Sequence, residues 1–255
     1  MPTAVEFMTQ YRNLQVKMPI EDPVRRMTRV GTCTAQIRKY FMMSWNEGTE
    51  QLKDFDDVTG GGAKDTWFRT NKERIRTAAM GKGAPGDYAL ALEWAVRSGK
   101  IKNPNAITVQ AFCDSHLGID CSGFVTNYLI ATGKRTYSSN LLRNTSAASY
   151  FTAGTQINDP TQIRQGDLLV FMSGNVVMTH PAGHVAVVES YVAQSRPSGN
   201  MRVVEATAAD GANPKLVDSM YDVEQIIPKG GAVPCMVLVV KRFEKSGFRV
   251  AVRRI

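Results

Sequence analysis

The apolar positions that follow residue 118 have the spacing of an α-helix. Four of them recur at intervals of three and four residues and form one stripe: Phe124, Val125, Tyr128 and Leu129. Asp120 is a residue type that caps the start of a helix, and Gly133 is the type that ends one with a left-handed turn. We therefore predict a helix between these two residues, with Cys121 in its first turn.

The β-branched runs further along the chain are typical of strands. Strands are expected near four segments: residues 167–172, 184–191, 201–207 and 235–242. A last strand, after a turn, is expected to end at Ile255. A second helix is predicted over residues 87–99, where Asp87 and Gly99 enclose a broad apolar face, and an irregular connection over residues 100–116. Helices packed on an antiparallel sheet give an α+β fold.

The first third of the chain has a different character. It is basic and rich in methionine, and helical pieces are expected over residues 4–14 and 34–45. A glycine-rich break follows at residues 59–62. We therefore predict a mostly helical N-terminal extension over residues 1–84 and a separate domain over residues 85–255. Four roles are possible for the extension: a lid, a targeting segment, a wall-binding module, or helices packed on the domain.

Composition and charge narrow the classes of partner. The chain has 255 residues, of which 43% are apolar and 21% charged, as is ordinary for a globular protein. A net charge of +8 suits an anionic partner, although a basic surface that only aids solubility explains it equally well. The sequence has no aromatic-interleaved basic stripe and no nucleic-acid-binding motif, so we expect no nucleic-acid partner.

The sequence also bears on membranes and export. No apolar run approaches the roughly 20 residues that a membrane-spanning helix needs. The first thirty residues lack the apolar core of a signal peptide. We therefore expect a protein without a membrane span that is made in the cytoplasm and leaves it, if at all, by a non-standard route.

The cysteines do not have the spacing of a disulfide framework. Four of them lie far apart in the sequence: Cys33, Cys113, Cys121 and Cys235. Cys113, His116 and Cys121 could form part of a zinc site, but a second close pair of ligands is missing. We expect neither a metal nor an organic cofactor.

Three segments together have the residue types of a nucleophile, a base and an orienting group. Cys121 lies in the first turn of its predicted helix, where backbone N–H groups and the helix dipole favour a thiolate. His184 stands at the head of one predicted strand, and Glu205 lies within the next. The alternatives are a buried structural cysteine and a solvated strand carboxylate. His116 and His180 are interpreted as loop histidines.

Four motifs follow one another along the chain: GIDCSGFV at residues 118–125, QGDLLVF at 165–171, GHVAVV at 183–188 and VVEAT at 203–207. Together they resemble the NlpC-type cysteine peptidases, papain-like enzymes that cut peptides of the bacterial cell wall, over residues 85–255. The resemblance implies a papain-like core in which the nucleophile helix packs on an antiparallel sheet. It implies Cys121 as the nucleophile, His184 as the general base and Glu205 as the orienting residue.

The residues on either side of Cys121 are candidates for substrate binding. The resemblance implies that Asp120 and Ser122 contact a free amine or nearby polar groups of a substrate, and a helix cap is the competing role for Asp120. The aromatic-and-glycine stretch that the family has before its nucleophile is not recognisable here. The second oxyanion donor is therefore unassigned, with Tyr88 as a candidate.

The activity that the resemblance implies is a cysteine amidase or peptidase acting on peptidoglycan stem peptides. A secreted antibacterial effector or a phage-type lytic enzyme, working in the periplasm or cell wall after non-standard export, would have this activity. Its expected partners are the peptidoglycan substrate and a cognate immunity protein or secretion machinery. Two alternatives stay open: a papain-like deamidase, acyltransferase or thioesterase acting on an intracellular protein or lipid, and a catalytically inactive wall-binding module.

Overall fold

Strands outnumber helices in the part of the chain that the structure describes. The computed structural model describes residues 1–22, 27–41, 66–179, 182–193 and 198–255. Its strands are β1 (Leu14–Asp22), β2 (Met27–Ala35), β3 (Thr155–Ile157), β4 (Leu168–Ser173), β5 (Val176–Val177), β6 (Val185–Ala193), β7 (Gly199–Ala206), β8 (Leu216–Ile227), β9 (Val237–Arg242) and β10 (Lys245–Arg254). Its α-helices are α1 (Ala4–Arg12), α2 (Thr66–Ala79), α3 (Pro85–Arg97), α4 (Ala106–His116), α5 (Cys121–Ala131) and α6 (Ser139–Asn144).

Six of these strands close into an antiparallel barrel. Their order around the barrel is β4, β6, β7, β8, β9 and β10, and β10 pairs back to β4. Val250 of β10 lies opposite Leu238 of β9 on one side and opposite Phe171 of β4 on the other. The two short strands β3 and β5 pair with β10 and β4 and lie outside the closed circuit. Closure gives the backbone groups of β10 partners on both sides.

The closed barrel corrects the predicted fold. We expected a papain-like α+β core, with the nucleophile helix on an antiparallel sheet, and that prediction is wrong because the sheet closes on itself. The predicted helical N-terminal extension also contains the β1–β2 hairpin. The physical reason is that a barrel and an open sheet share the same local alternation of side chains. The closed barrel differs from an open sheet by the pairing of β10 with β4, two strands that lie far apart in the sequence.

Alternation along the strands builds the interior of the barrel. Successive side chains of a strand point to opposite faces, so every second residue faces inward. The inward-facing residues form one apolar cluster: Leu169, Phe171, Ala186, Val188, Met201, Val203, Tyr221, Val223, Leu238, Val240, Val250 and Val252. Burying such side chains contributes roughly 1.5–3 kcal/mol each, which makes this cluster a main source of stability.

The described residues divide into two compact units. The barrel unit comprises Met1–Met8, Cys121–Tyr137 and Asn144–Ile255. The second unit comprises Thr9–Asp120 and Ser138–Arg143. The predicted boundary between residues 84 and 85 falls inside the second unit. None of the described helices is long and apolar enough to cross a membrane.

The described residues of the second unit include a hairpin and three longer helices. In the hairpin, Leu14 and Val16 of β1 lie opposite Ala35 and Cys33 of β2, and these four side chains are buried. Helix α3 begins at Pro85, whose fixed φ suits the first helical position. The Asp87 carboxylate accepts the backbone N–H of Ala84 at 2.9 Å and so satisfies a donor at the helix start.

Local predictions and observed elements agree unevenly. The strands expected near residues 167–172, 184–191, 201–207 and 235–242 are confirmed as β4, β6, β7 and β9, and β10 is the expected last strand. Strand β8 and helix α4 were not predicted. The helix expected over residues 34–45 is wrong where the structure describes it, because β2 extends to Ala35, and residues 42–45 lie outside the described residues.

An ion pair on a buried carboxylate links the last strand to the turn before β4. Arg254 donates from Nε to Oδ1 and from Nη2 to Oδ2 of Asp167, both at 2.8 Å. Asp167 is 1% exposed and also accepts the backbone N–H of Arg164 at 3.0 Å. Paired, parallel hydrogen bonds of this kind are among the stronger polar contacts in proteins.

Replacing Asp167 with asparagine should therefore destabilise the barrel unit. We expect a loss of about 1–3 kcal/mol in the free energy of unfolding, because the charge-assisted bonds go while Arg254 keeps its charge. The control is Asp218→Asn, which removes a similar pair with Arg202 whose side chain is 46% exposed. That change should cost less than about 1 kcal/mol in urea unfolding. Equal losses in the two variants would contradict the role given to Asp167.

Candidate active site

Helix α5 places Cys121 at its first residue. All of the residues from Cys121 to Leu129 are buried, so the helix is held on every side. Phe124 packs with Phe7 at 5.8 Å between ring centroids, as expected for a core residue, and α5 also contacts β6 and β7. Cys121 is 4% exposed, and its backbone N–H lies at a helix start, where donors lack intrahelical acceptors.

His184 precedes β6 and is fixed by its neighbours. A Cβ atom on Gly183 would lie 2.8 Å from the carbonyl oxygen of Met178, so only glycine fits this close approach of the backbone. The ring of His184 packs edge-on against Phe171 of β4 at 4.8 Å. His184 lies two residues before Ala186 and therefore shares the inward face of the barrel.

The structure brings the three predicted catalytic residues together within the barrel unit. Glu205 of β7 contacts Nε2 of His184 through Oε2 at 2.7 Å and is 0% exposed. The Cys121 side chain hydrogen-bonds to His184. Because Glu205 occupies Nε2, Nδ1 is the ring nitrogen left for the sulfur. The geometry is a chain from thiol to imidazole to carboxylate.

The electrostatics of this chain favour an imidazolium. Burial lowers the pKa of His184, but the hydrogen bonds and charges of Cys121 and Glu205 outweigh burial and raise it to about 9. Burial likewise raises the pKa of Glu205, but the hydrogen bonds and charges of His184 and Arg242 bring it down to about 2. At neutral pH, therefore, Glu205 is an anion beside a protonated His184.

Sequence reasoning missed the other groups that contact Glu205. Arg242, the last residue of β9, donates to both carboxylate oxygens, and Tyr221 of β8 donates to Oε1 at 2.8 Å. A signal for Arg242 was present, because it follows Leu238 and Val240 at a spacing of two and so falls on an apolar strand face. Tyr221 could not be placed because β8 itself was not predicted.

The predicted substrate-binding residues have internal partners. Asp120, at the end of the second unit, forms an ion pair with Lys82 at 2.6 Å, and both side chains are largely buried. Ser122 is 3% exposed and donates its hydroxyl hydrogen to the carbonyl of Thr145 at 3.0 Å. These contacts assign each residue a structural role, and their contact with a substrate stays a prediction.

Tyr88, the candidate oxyanion donor, also has a partner in the second unit. Its hydroxyl donates to the carbonyl of Gly118 at 2.6 Å, and the side chain is fully buried. Burial, with the charges of Tyr11 and Asp120, raises its pKa well above the usual value. Tyr88 is therefore a neutral donor already engaged by the segment that precedes Asp120.

Burial disfavours the thiolate form of the other three cysteines. Burial raises the pKa of Cys33, Cys113 and Cys235, in Cys113 to about 12. His116 stacks on Phe112 at 4.2 Å, and His180 lies outside the described residues. Among the described residues there is no cluster of three or more His, Cys, Asp or Glu side chains that could hold a metal ion.

Comparison with known proteins adds nothing to the geometry. The chain matches no protein-family model, no curated protein and no solved structure.

The low pKa of Glu205 predicts how stability changes with pH. A carboxyl whose pKa is depressed in the folded state stabilises that state above its ordinary pKa, near 4.5, and loses this contribution as pH falls towards about 2. In a Cys121→Ala, His184→Gln background, in which neither of these neighbours titrates, the unfolding free energy that Glu205→Gln removes should be constant from pH 6 to 7. Below pH 4.5 this difference in unfolding free energy should decrease. Each pH unit should change the ratio of the two folding equilibrium constants by up to about tenfold.

Urea unfolding of the two chains between pH 3 and 7 measures this difference. This background removes the titrations of the thiol and of the imidazole, while Arg242 and Tyr221 still hold the Glu205 carboxylate as an anion. A difference that stays constant over the whole range would show that Glu205 is not held as an anion.

Proposed function

We propose that this protein is a cysteine hydrolase that cleaves amide bonds, with Cys121 as the nucleophile, His184 as the acid and base and Glu205 as the orienting residue. The observation that supports this proposal is the chain of contacts Cys121–His184–Glu205, buried within one unit. Its order of groups is that of enzymes that form an acyl-enzyme through a thiolate.

The proposed reaction begins from a Cys121 thiolate beside a His184 imidazolium. The sulfur attacks the amide carbonyl, a C–S bond forms, and the oxyanion is met by the backbone N–H of Cys121. His184 gives its proton to the leaving amine as the C–N bond breaks. The neutral imidazole then takes a proton from water, the hydroxide attacks the thioester, and the acid departs as the C–S bond breaks.

Glu205 supports both halves of this cycle. Its carboxylate holds Nε2 of His184, which directs Nδ1 towards the sulfur, and its charge stabilises the imidazolium that forms again in each turnover. Since Glu205 is held as an anion by Arg242 and Tyr221, it need not take the proton from His184 itself.

For the substrate we propose peptidoglycan stem peptides. The support is the resemblance of GIDCSGFV and GHVAVV to the motifs of NlpC-type peptidases, whose cysteine and histidine match Cys121 and His184. The net charge of +8 suits a polymer that carries anionic groups. The proposed place of action is the periplasm or cell wall.

A second substrate class follows from the fold. The closed barrel differs from the papain-like core that the motifs implied, so the same cysteine chemistry could have another substrate. The alternative is a deamidase, acyltransferase or thioesterase that acts on an intracellular protein or lipid. It uses the same three residues.

Incubation with isolated peptidoglycan tests the first proposal. We expect the wild-type chain to release fragments that mass analysis assigns to cleavage at one stem-peptide amide. Cys121→Ala should abolish this release, and His184→Ala should cost nearly as much, because the two residues act as one unit. Glu205→Gln should lower the rate on the order of 10- to 1000-fold, since an amide can orient the imidazole but cannot stabilise its charge.

The matched control is Cys235→Ala, which removes a buried thiol that lies against Met172 in the barrel unit. This variant should keep its activity. Near wild-type cleavage by Cys121→Ala would overturn the assignment of the nucleophile.

Expression in two compartments separates the two substrate classes. Directed to the periplasm of a Gram-negative host by an added signal peptide, the wild-type chain should lyse the cells, whereas Cys121→Ala should not. The same chain kept in the cytoplasm should be harmless, because peptidoglycan is not found there. The reverse pattern, with cysteine-dependent toxicity only in the cytoplasm, would favour the intracellular substrate.

A further inference from the structure

We propose that Arg242 is a positioning residue of the candidate active site, which fixes the Glu205 carboxylate and tunes the proton affinity of the groups around it. This inference rests on the proposed function, because it assigns Arg242 a part in the same reaction. Arg242 does not contact a substrate in the proposed mechanism and acts through Glu205.

The geometry around Arg242 is that of a bidentate pair. Its Nε donates to Oε1 of Glu205 at 3.1 Å, and its Nη2 donates to Oε2 of the same carboxylate. Nη2 also donates to the hydroxyl of Thr207 at 2.5 Å. A planar guanidinium that binds both carboxylate oxygens fixes the plane of the carboxylate, as a lysine could not.

Arg242 is itself held rigidly. It lies directly opposite Tyr221 in the β8–β9 ladder and is 7% exposed. Four aromatic rings lie within 6 Å of its guanidinium carbon: Phe171 at 5.3 Å, Tyr221 at 5.8 Å, Phe243 at 4.9 Å and Phe248 at 5.9 Å. Aromatic faces attract a cation, and a side chain so enclosed has few rotamers left.

The position of Arg242 relative to His184 gives it a second effect. Its Nη2 lies 3.5 Å from Nε2 of His184, and its charge also acts on Cys121. The groups that face it come from separate elements: Glu205 and Thr207 from the β7 side, Tyr221 from β8, His184 before β6 and Cys121 from α5. A fixed positive charge among titrating groups lowers the proton affinity of all of them.

Arg242 thus opposes Glu205 in its effect on His184. Without Arg242, the charge of Glu205 would raise the proton affinity of His184 and slow the transfer of its proton to a leaving amine. The positive charge beside it offsets part of that attraction while it keeps the carboxylate in place. The expected result is an imidazolium that is both oriented and able to release its proton.

Two substitutions separate charge from orientation. Arg242→Gln removes the charge, so every nearby group holds its proton more tightly. Both the acid and the alkaline limb of kcat/KM plotted against pH should therefore move to higher pH. We expect kcat to fall roughly 10- to 100-fold with little change in KM, as for a misplaced catalytic group. Arg242→Lys keeps the charge but loses the bidentate contact, so kcat should fall while the limbs stay in place.

A measurement without substrate tests the same coupling. In the Cys121→Ala chain, the titration of His184 is followed by NMR, with His184→Gln used to assign its signal. The midpoint should rise in Arg242→Gln, stay near that of the parent in Arg242→Lys, and stay unchanged in Arg202→Gln. Arg202 is the control because its guanidinium pairs with Asp218 at the exposed surface of the same barrel.

The outcomes distinguish this inference from the proposed function. A folded Arg242→Gln chain with unchanged kcat, unchanged limbs and an unchanged His184 midpoint would overturn the role of Arg242. If Arg242→Gln does not fold, a wild-type kcat in Arg242→Lys would overturn it instead. If the wild-type chain hydrolyses no amide but the His184 midpoint still moves as expected, the proposed function fails and the coupling of Arg242 to His184 is supported.

Discussion

The buried negative charge of Glu205 is the constraint around which the barrel end is arranged. An ionised carboxylate removed from water costs several kcal/mol unless hydrogen bonds and opposite charges replace the lost solvation. Here Arg242, Tyr221 and His184 supply that replacement from β9, β8 and the segment before β6. Each of these donors reaches Glu205 only when its strand pairs in the observed register. The geometry of the site therefore depends on the alignment of the strands.

Local patterns in the sequence predicted the parts of the site that depend on local structure. Cys121 could be placed at a helix start from the stripe that follows it, and His184 at a strand head from the β-branched run after Gly183. The pairing of Arg242 with Glu205 could not be predicted in this way. Arg242 follows Glu205 by 37 residues and reaches it only because the intervening strand β8 forms.

The fold was less predictable than the site for the same reason. Alternation in the segments near residues 168–173 and 245–254 indicates strands, but not which edges they join. The pairing of Ala251 with Val170 depends on the accumulated twist and tilt of all six strands. Strand β8, which was not predicted, contributes Tyr221 and Val223 to the interior, and without it the circuit of six strands cannot be drawn.

The closure of the barrel by β10 has a consequence for synthesis of the chain. Ribosomes add residues in order, so Cys121, His184 and Glu205 all leave the exit tunnel before Arg242 and before the strand that joins β9 to β4. A nascent chain that ends before Arg242 therefore carries the thiol and its imidazole with no closed barrel around them and no guanidinium beside Glu205. The arrangement of these groups becomes complete only when residues 245–254 have emerged, so assembly of the site cannot precede synthesis of β10.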